Sequence, residues 1–512
     1  MRLSANWLLL LIFFYFVIRL LLILTVPEAI TDELYIGALA MEFLEGLRLP
    51  LWDYSGDPYG TGILFSGMLT APLFHFFGNS IFVLKLVPLI LHLLSLIAWF
   101  FVFRPHFSQW QTFWMLLFLV IPPPQSMEYM LLNNGYHFVM ILWMALSIIL
   151  FRRILENGGP ASIFLLGLLG GFSTSLIPTN LITVATIFIY LMLTRNLFRQ
   201  KMFFVFYGFG FLIGFIPWIL LNVHNDWRGF ESILAFFSSK APFLNIAKNF
   251  LKLFLKETAG FQGLFGFGNP FFTVPTLGLF LFAFVLLVRN KWGFWRAKIF
   301  RFDLESFGLL FQIVLVILAV FERLGVERNY YLFPMIPFMG MTLVRAGQLL
   351  NLRTKIVVFS IWLGVCLIGN YQRAPWPYFG RSLSLQGYSY GMLCASLEAA
   401  YGDDIDLFSK RFDQLLRNRP YDIKKECYEN LSGGFFFKRD MERLKKKRHF
   451  IDTVEPEFQP ILFEKLGEEL GLYANFDPLA LGVLLKELEI DPTFYPQIYR
   501  GVDAGRVWKE EN

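Results

Sequence analysis

Twelve apolar runs divide the first 370 residues of this 512-residue chain. A helix needs about 20 mostly apolar residues to cross the hydrocarbon core of a membrane. Hydrophobic residues make up 56% of the chain and charged residues only 16%, a composition too apolar for a soluble protein of this size. The sequence therefore predicts an all-α polytopic membrane protein. The runs lie at about 7–27, 62–77, 80–103, 110–124, 136–151, 161–177, 179–194, 201–221, 272–289, 305–321, 329–346 and 354–370.

Two basic clusters predict which loops are cytoplasmic, because Lys and Arg concentrate on the inner side of membranes. They are Arg195/Arg199/Lys201 and the segment 289–301. The first run reads as an uncleaved span with the N-terminus inside. Six runs separate the first outer loop from Arg195, whereas an odd number is needed. Either one short run does not cross, with 110–124 as the suspect, or one crossing is hidden. We expect about 11–13 transmembrane helices, with the C-terminal tail outside.

The first outer loop, residues 28–61, is strongly acidic. It holds seven carboxylates and one arginine, Arg48, and must face water because charge is not tolerated in lipid. We expect chemistry here, centred on Asp32 and Glu33. Asp32 could instead cap a helix starting near Leu34, and Glu33 could simply complement the dipole of that helix.

A second large outer loop is predicted at 222–271. Residues 230–257 have the pattern of a helix lying in the membrane interface, with Lys248, Lys252 and Lys256 along one face. This lysine stripe would suit a lipid phosphate. The alternative is a generic interfacial helix held by anionic lipids.

The composition changes near residue 372, which predicts a membrane domain at 1–371 and a soluble, mostly helical domain at 372–512. Pairs of glycines four residues apart predict helices that approach closely. They are Gly387/Gly391, Gly467/Gly471 and Gly501/Gly505. Cys394 and Cys427 could form a disulfide if the tail lies outside.

Several motifs resemble those of the GT-C glycosyltransferases, in particular bacterial relatives of the protein O-mannosyltransferases and of the aminoarabinose transferase that modifies lipid A. The motifs occur in the family's order over roughly residues 1–370. They are Asp32-Glu33, Tyr35, a helix at 34–48, Asp57 to Gly62 with Tyr59, Phe77-Gly78, Asn134 to His137, the Gly-rich span 167–182 and Glu327 to Pro337.

This resemblance implies a GT-C helical bundle that transfers a sugar from a polyprenyl-phosphate donor with inversion. Such a transfer needs a base for the acceptor proton and cations for the leaving phosphate. Asp32 is the candidate base, assisted by Glu33, and Arg328 is the first candidate for the phosphate. Arg328 could also pair with Glu327 or Glu322. The remaining substrate-binding candidates are Tyr35, Asp57, Tyr59, His137, Lys248, Lys252, Arg323 and Tyr330.

His137 stands near the position where many relatives have an aspartate. It could donate a hydrogen bond to the acceptor or the phosphate, it could serve as an alternative base, or it could be structural. The mannosyl and aminoarabinosyl branches imply no cofactor. A divalent metal at Asp32, Glu33 and Asp57 is the alternative that we do not favour.

The expected partners are a polyprenyl-phosphate sugar, membrane lipids and an unidentified lipid, glycan or protein acceptor, with no nucleic acid. We expect the protein in a bacterial inner membrane, with its active site and tail on the periplasmic side. A lipid or glycan flippase would also have about a dozen spans, but it should show internal repeats. A non-catalytic scaffold is the other alternative.

Overall fold

The computed structural model describes most of the chain. The described residues are 2–25, 31–55, 60–122, 127, 130–133, 139–194, 201–231, 278, 280–291, 302–321, 334–348, 360, 364, 389–401, 404–431 and 441–511. They form helices joined by turns, without a strand, so the predicted all-α fold is confirmed. The predicted interfacial helix at 230–257 lies almost wholly outside the described residues.

The chain folds into two compact units. The membrane unit comprises Met1–Ile30 and Pro58–Leu385, and the loop–tail unit comprises Thr31–Asp57 and Gln386–Asn512. The predicted division at 371/372 assigned the acidic loop to the membrane domain. The structure instead groups most of that loop with the tail.

The membrane unit is built from apolar helices, of which three of those described are long and apolar enough to span a membrane: Asn6–Leu24, Ile81–Phe103 and Met202–His224. The helices are α1 (Arg2–Thr25), α3 (Gly62–Phe77), α4 (Ile81–Leu84), α5 (Leu86–Phe103), α6 (Gln109–Val120), α7 (Val139–Asn157), α8 (Pro160–Leu176), α9 (Leu181–Thr194), α10 (Lys201–His224), α11 (280–291), α12 (Leu304–Phe321) and α13 (Ile336–Gly347).

Helices α8 and α10 lie in backbone contact through glycines. A Cβ at Gly171 would come within 2.0 Å of the Phe211 carbonyl oxygen, and one at Gly214 would come within 2.2 Å of the Leu168 carbonyl oxygen. Membrane helices associate closely where small residues let their backbones meet. The Gly-rich character of 167–182 therefore has a packing reason.

The end of α8 holds the turn that leads into α3. Helix α8 ends at Leu176, just before Pro178, and the carbonyl of the buried Ser175 accepts hydrogen bonds from the N–H (2.8 Å) and hydroxyl (3.0 Å) of Thr61. A Cβ at Gly60 would lie 2.3 Å from the Leu176 carbonyl oxygen, so only glycine fits there. Gly60 and Thr61, the two residues before α3, thus lie against the Pro-broken end of α8.

Helix α3 stays at one end of the membrane unit. Its preceding residue, Thr61, contacts the end of α8, and Thr70 accepts a hydrogen bond from Asn133, just before α7 (3.2 Å). The Asn133 amide also donates to the carbonyl of Leu84 at the end of α4 (3.0 Å). These contacts make α3 a second candidate, beside 110–124, for the apolar run that does not cross. Which run stays out of the membrane remains a prediction.

The loop–tail unit is also helical. Its elements are α2 (Thr31–Glu45), a 3₁₀ turn (Leu51–Tyr54), α14 (Tyr390–Tyr401), α15 (Ile405–Leu416), α16 (Tyr421–Asn430), α17 (Met441–Thr453), α18 (Gln459–Tyr473), α19 (Pro478–Glu487), a 3₁₀ turn (Pro492–Phe494) and α20 (Tyr495–Glu511).

Two devices hold the tail helices together. A disulfide joins Cys394 on α14 to Cys427 on α16, which answers the question that the sequence left open. Helices α18 and α20 meet at glycines, since a Cβ at Gly467 would lie 2.2 Å from the Ile498 carbonyl oxygen and one at Gly501 would lie 1.8 Å from that of Glu464. The close approach predicted for the pairs Gly467/Gly471 and Gly501/Gly505 is confirmed, and Gly387 of the third pair lies outside the described residues.

Candidate functional site

Three of the predicted site residues lie in the described part of the chain: Asp32, Glu33 and Tyr35. The others fall outside the described residues and stay predictions. They are Asp57, Tyr59, His137, Lys248, Lys252, Arg323, Arg328 and Tyr330.

Asp32 and Glu33 occupy the first turn of α2. Asp32 is exposed and Glu33 is fully buried. Carboxylates in a first turn are stabilised by the positive end of the helix dipole. Since α2 already includes Thr31, Asp32 lies inside the helix, and the alternative of a cap on a helix starting near Leu34 is wrong. An exposed and a buried carboxylate therefore sit side by side at the start of α2.

Tyr35 points into the loop–tail unit, where it is 5% exposed. Its hydroxyl donates to the backbone carbonyl of Tyr54 (2.9 Å). Burial raises the pKa of Tyr35 well above its usual range, while a hydrogen bond with Ser396 acts in the opposite direction. The phenol is thus protonated and holds the 3₁₀ turn against α2, and its role toward substrate stays a prediction.

Glu42, near the other end of α2, is the centre of a buried cluster formed by Glu42, Arg48, Tyr54, Tyr390 and Arg419. We call it the Glu42 cluster. The Glu42 carboxylate accepts hydrogen bonds from the hydroxyls of Tyr54 (2.6 Å) and Tyr390 (2.9 Å), and it pairs with Arg48 (3.0 Å) and Arg419. Its side chain is fully buried, so these donors replace water around the charge.

Arg419 bridges two carboxylates of α2. One guanidinium nitrogen pairs with Glu42 and the other with Glu45 (2.6 Å), while the guanidinium carbon lies 4.3 Å from the ring centroid of Tyr390. The side chain is only 4% exposed, and burial lowers the pKa of Arg419 to about 10. The arginine is therefore charged at neutral pH.

Asp53, in the 3₁₀ turn, is neutralised in the same way. It accepts a hydrogen bond from the hydroxyl of Tyr401 (2.5 Å) and pairs with Arg411 (3.1 Å). Glu42, Glu45 and Asp53 are thus ion-paired with arginines, two of which come from the tail. Part of the acidity of the first outer loop therefore joins the loop to the tail, and the expectation of chemistry centred on Asp32 and Glu33 stays a prediction.

Two further hydrogen bonds join the loop to the tail. The N–H of Ser389, just before α14, donates to the carbonyl of Leu34, one residue after Glu33 (3.1 Å). The side-chain amide of Gln414 donates to the carbonyl of Arg48 (2.6 Å). The tail therefore contacts α2 both beside its acidic first turn and at its far end.

Arg19 is a buried charge within α1 that sequence reasoning missed. It is 1% exposed, and its guanidinium contacts the carbonyl of Met127 (3.2 Å) and the sulfur of Met130 (2.8 Å). These contacts hold the segment that leads toward Asn134–His137. An arginine inside an apolar span is costly in lipid, so its position in the first run was the available signal.

No group of three or more metal-ligating side chains that could hold a metal ion occurs in the described part of the chain. Asp57, one member of the metal site considered in the sequence, lies outside it. The expectation of a metal-free site stays a prediction.

Residues 65–221, from within α3 to within α10, match a family model described as dolichyl-phosphate-mannose-protein mannosyltransferase. The match confirms the resemblance to GT-C glycosyltransferases that the motifs predicted. No curated protein matches the chain significantly.

Three solved structures are similar to this chain. One is ArnT from Cupriavidus metallidurans, bound to undecaprenyl phosphate, which is 13% identical to this chain with a TM-score of 0.48. The match covers 98% of this chain and 76% of the ArnT chain. The apo oligosaccharyltransferase of Archaeoglobus fulgidus is 13% identical with a TM-score of 0.43, covering 84% and 60%. AglB from Archaeoglobus fulgidus, in complex with an inhibitory peptide and a dolichol-phosphate, is 12% identical with a TM-score of 0.46, covering 81% and 60%. This chain thus spans 60% of the length of each archaeal chain.

Proposed function

We propose that this chain is a membrane glycosyltransferase that moves a sugar from a polyprenyl-phosphate-linked donor to an acceptor. The observation that carries the proposal is the mannosyltransferase match at 65–221, which follows in the chain a helix with Asp32 and Glu33 in its first turn. The family description names a dolichyl-phosphate sugar as donor, and a polyprenyl phosphate is the corresponding bacterial carrier.

The proposed reaction is an inverting displacement at the anomeric carbon. Asp32 takes the proton of the acceptor hydroxyl as its oxygen forms the new glycosidic bond. The bond from the sugar to the phosphate breaks, and the electron pair leaves with the lipid phosphate, whose charge needs a cation. Arg328 is the proposed partner of that phosphate, with Arg323, Lys248 and Lys252 as further candidates.

The other sequence candidates surround the sugar and the acceptor in this proposal. They are Glu33, Tyr35, Asp57, Tyr59, His137 and Tyr330. We propose that no metal takes part, because the arginine and lysine side chains can supply the positive charge. The acceptor is a lipid, a glycan or a protein, and these residues do not distinguish among the three.

An apolar groove in the membrane unit is the proposed binding site for the lipid part of the donor. It has a volume of about 570 Å³ between α7, α8 and α10, and its walls include Leu146, Leu168, Phe172 and Pro217. An isoprenoid chain buries only hydrocarbon, so it needs a groove without polar groups. The proposed donor would lie with its chain in this groove.

The proposed side of the reaction is the outer face of a bacterial inner membrane. The disulfide between Cys394 and Cys427 supports it, because disulfides form and persist in oxidising compartments such as the periplasm. The basic clusters at 195–201 and 289–301 support a cytoplasmic position for the opposite loops.

Sugar transfer in membranes tests the proposal. Membranes containing the wild type, Asp32→Asn or Asp406→Asn are supplied with a radiolabelled polyprenyl-phosphate sugar pool, and the label is followed into acceptor fractions. Asp406 is the matched control, because it is an exposed aspartate in the first turn of another helix, α15. We expect Asp32→Asn to lower the rate at least about 100-fold at equal protein level and Asp406→Asn to leave it unchanged.

Two results would contradict the proposal at different points. Wild-type transfer by Asp32→Asn would remove the base from the mechanism. If the wild type consumed no lipid-linked sugar, the glycosyltransferase assignment would fail, and a flippase or a scaffold would take its place.

A further inference from the structure

We infer that the C-terminal tail positions α2, the helix that carries the proposed base, and that Arg419 is the residue through which it does so. The inference rests on the proposed function, since it assigns Arg419 a part in that reaction. The proposed role of Arg419 includes no contact with the substrate or with the reacting atoms. It is a positioning residue that acts through Glu42 and Glu45.

The charge balance of the Glu42 cluster is the first argument. Glu42 is fully buried and Arg419 is 4% exposed, so neither charge can turn to water if the two separate. A buried ion pair adds little stability compared with apolar groups, but losing one partner costs far more. Without Arg419, the half-buried Arg48 alone would balance the two carboxylates of Glu42 and Glu45. The Glu42–Arg419 pair therefore favours one position of α2 against the tail, because any position that separates the two charges costs free energy.

The shape of the arginine is the second argument. Its planar fork contacts carboxylates at Glu42 and Glu45, which lie three residues apart on one face of α2. At the same time its face lies over the ring of Tyr390, the first residue of α14. A lysine could keep one ion pair but not the fork and the stacking. Arg419 thus fixes both the rotation of α2 and its position along α14.

The rigidity of α2 carries this constraint to the proposed base. Asp32 lies ten residues before Glu42 on the same helix, about 15 Å along its axis. The tail contacts α2 a second time at Leu34, through the Ser389 N–H (3.1 Å). Two contacts at opposite ends of a straight helix determine where its acidic first turn lies. Misplacement of a reacting group by about 1 Å can cost about 100-fold in rate.

Hydrogen exchange of the full-length protein in detergent tests the inference without requiring any substrate. The variants are Arg419→Met, Arg419→Lys, Glu42→Gln and the double variant Glu42→Gln/Arg419→Met. Arg417→Met is the matched control, because Arg417 lies two residues away but is 70% exposed and pairs with Asp413, its neighbour one helical turn earlier.

We expect Arg419→Met to speed amide exchange in peptides covering 31–45 by at least about tenfold, while the membrane unit exchanges as in the wild type. Arg419→Lys should give a smaller increase. The double variant should recover most of the protection, because the uncharged amide that replaces the Glu42 carboxylate leaves no buried charge without a partner. Arg417→Met should match the wild type.

Transfer measured in membranes from the same variants gives the second readout. Transfer is compared at equal amounts of folded protein, because the second substitution restores stability as well as position. Loss of transfer in Arg419→Met at equal protein level, with recovery in the double variant, supports positioning. Unchanged exchange at 31–45 in Arg419→Met, or a uniform rise throughout the protein without rescue, overturns the inference. If exchange behaves as expected but the wild type transfers no sugar, the proposed function fails and Arg419 has no reaction to position.

Discussion

Tyr54 shows how the loop–tail unit uses one side chain for several bonds. Its buried hydroxyl donates to Glu42 (2.6 Å) and accepts the backbone N–H groups of Arg48 (3.2 Å) and Leu49 (3.1 Å). Burial raises its pKa to about 12, although the two N–H groups act in the opposite direction. The neutral phenol is therefore strongly preferred in the folded state.

This preference predicts alkaline instability of the loop–tail unit. The folded-state pKa of Tyr54 lies above its ordinary value of 10.0, so the stabilisation is complete below about pH 10 and is lost as the pH rises through about 12. It amounts to roughly 2–3 kcal/mol, since one pKa unit corresponds to about 1.4 kcal/mol.

Thermal unfolding of the wild type and of Tyr54→Phe across this pH range measures the effect. We expect the variant to be less stable at neutral pH and to lose less stability between about pH 10 and 12. Parallel curves for the two proteins would show that Tyr54 is not the group responsible.

The sequence predicted the position of Asp32 and Glu33 at a helix start, because acidic residues after a membrane exit have a local signature. It did not predict the partners of the other carboxylates. Arg419 meets Glu42 and Glu45 across 377 and 374 residues of chain, and no local pattern specifies such a pairing. Arg19, by contrast, could have been found, since a charge within an apolar run is a local signal.

Glycine spacing was the most informative pattern at the level of elements. It predicted close helix approach in the tail, where α18 meets α20, because a small residue every fourth position makes a flat strip along one helix face. The partners could not be read from the spacing alone. Gly391, for example, packs against the side chain of Asn430 on α16, not against another glycine.

Alanine substitutions at two glycines of the tail should change its free energy of unfolding in opposite directions. Gly501→Ala would place a methyl group 1.8 Å from the Glu464 carbonyl oxygen, whereas an alanine at Gly482, on α19, would meet nothing within 4 Å. We expect Gly501→Ala to destabilise the tail by about 1–3 kcal/mol or more. Gly482→Ala should stabilise it by up to about 1 kcal/mol through helix propensity. Thermal unfolding of the full-length variants decides, and equal effects would contradict the close contact between α18 and α20.

The disulfide gives a second prediction for the tail. It closes a separation of 33 residues between Cys394 and Cys427, both fully buried. Cys394→Ser should destabilise the loop–tail unit by about 2–4 kcal/mol, because the unfolded chain gains freedom. Cys366→Ser serves as control, since it removes the third cysteine and leaves the bond intact. Equal unfolding temperatures for Cys394→Ser and the wild type would contradict a bond that stabilises the fold.

The topology of the whole molecule follows from contacts at the two ends of the membrane unit. At one end, the Tyr190 hydroxyl accepts the Asp303 N–H (2.9 Å), and Phe151 packs on Tyr190 with ring centroids 5.9 Å apart. At the other end lie Thr61, Thr70 and Asn133, whose hydrogen bonds hold the first half of α3 there. If α3 does not cross, five of the six apolar runs between the acidic loop and Arg195 remain as crossings, an odd number. Apolar character could not show which run stays out of the membrane, because α3 is about as apolar as α10, a helix long enough to span.

Cysteine labelling tests this topology in cells that produce a variant of the protein without Cys366. Asn79→Cys places an exposed thiol in the turn after α3, and Gly159→Cys places one in the turn between α7 and α8, where a Cβ meets no other atom. If α3 remains at the outer end, a membrane-impermeant maleimide should label Asn79→Cys in intact spheroplasts and Gly159→Cys only after permeabilisation. If α3 crosses and the N-terminus is inside, Asn79→Cys would react only after permeabilisation. That outcome would restore the parity conflict and require another of the apolar runs to stay out of the membrane.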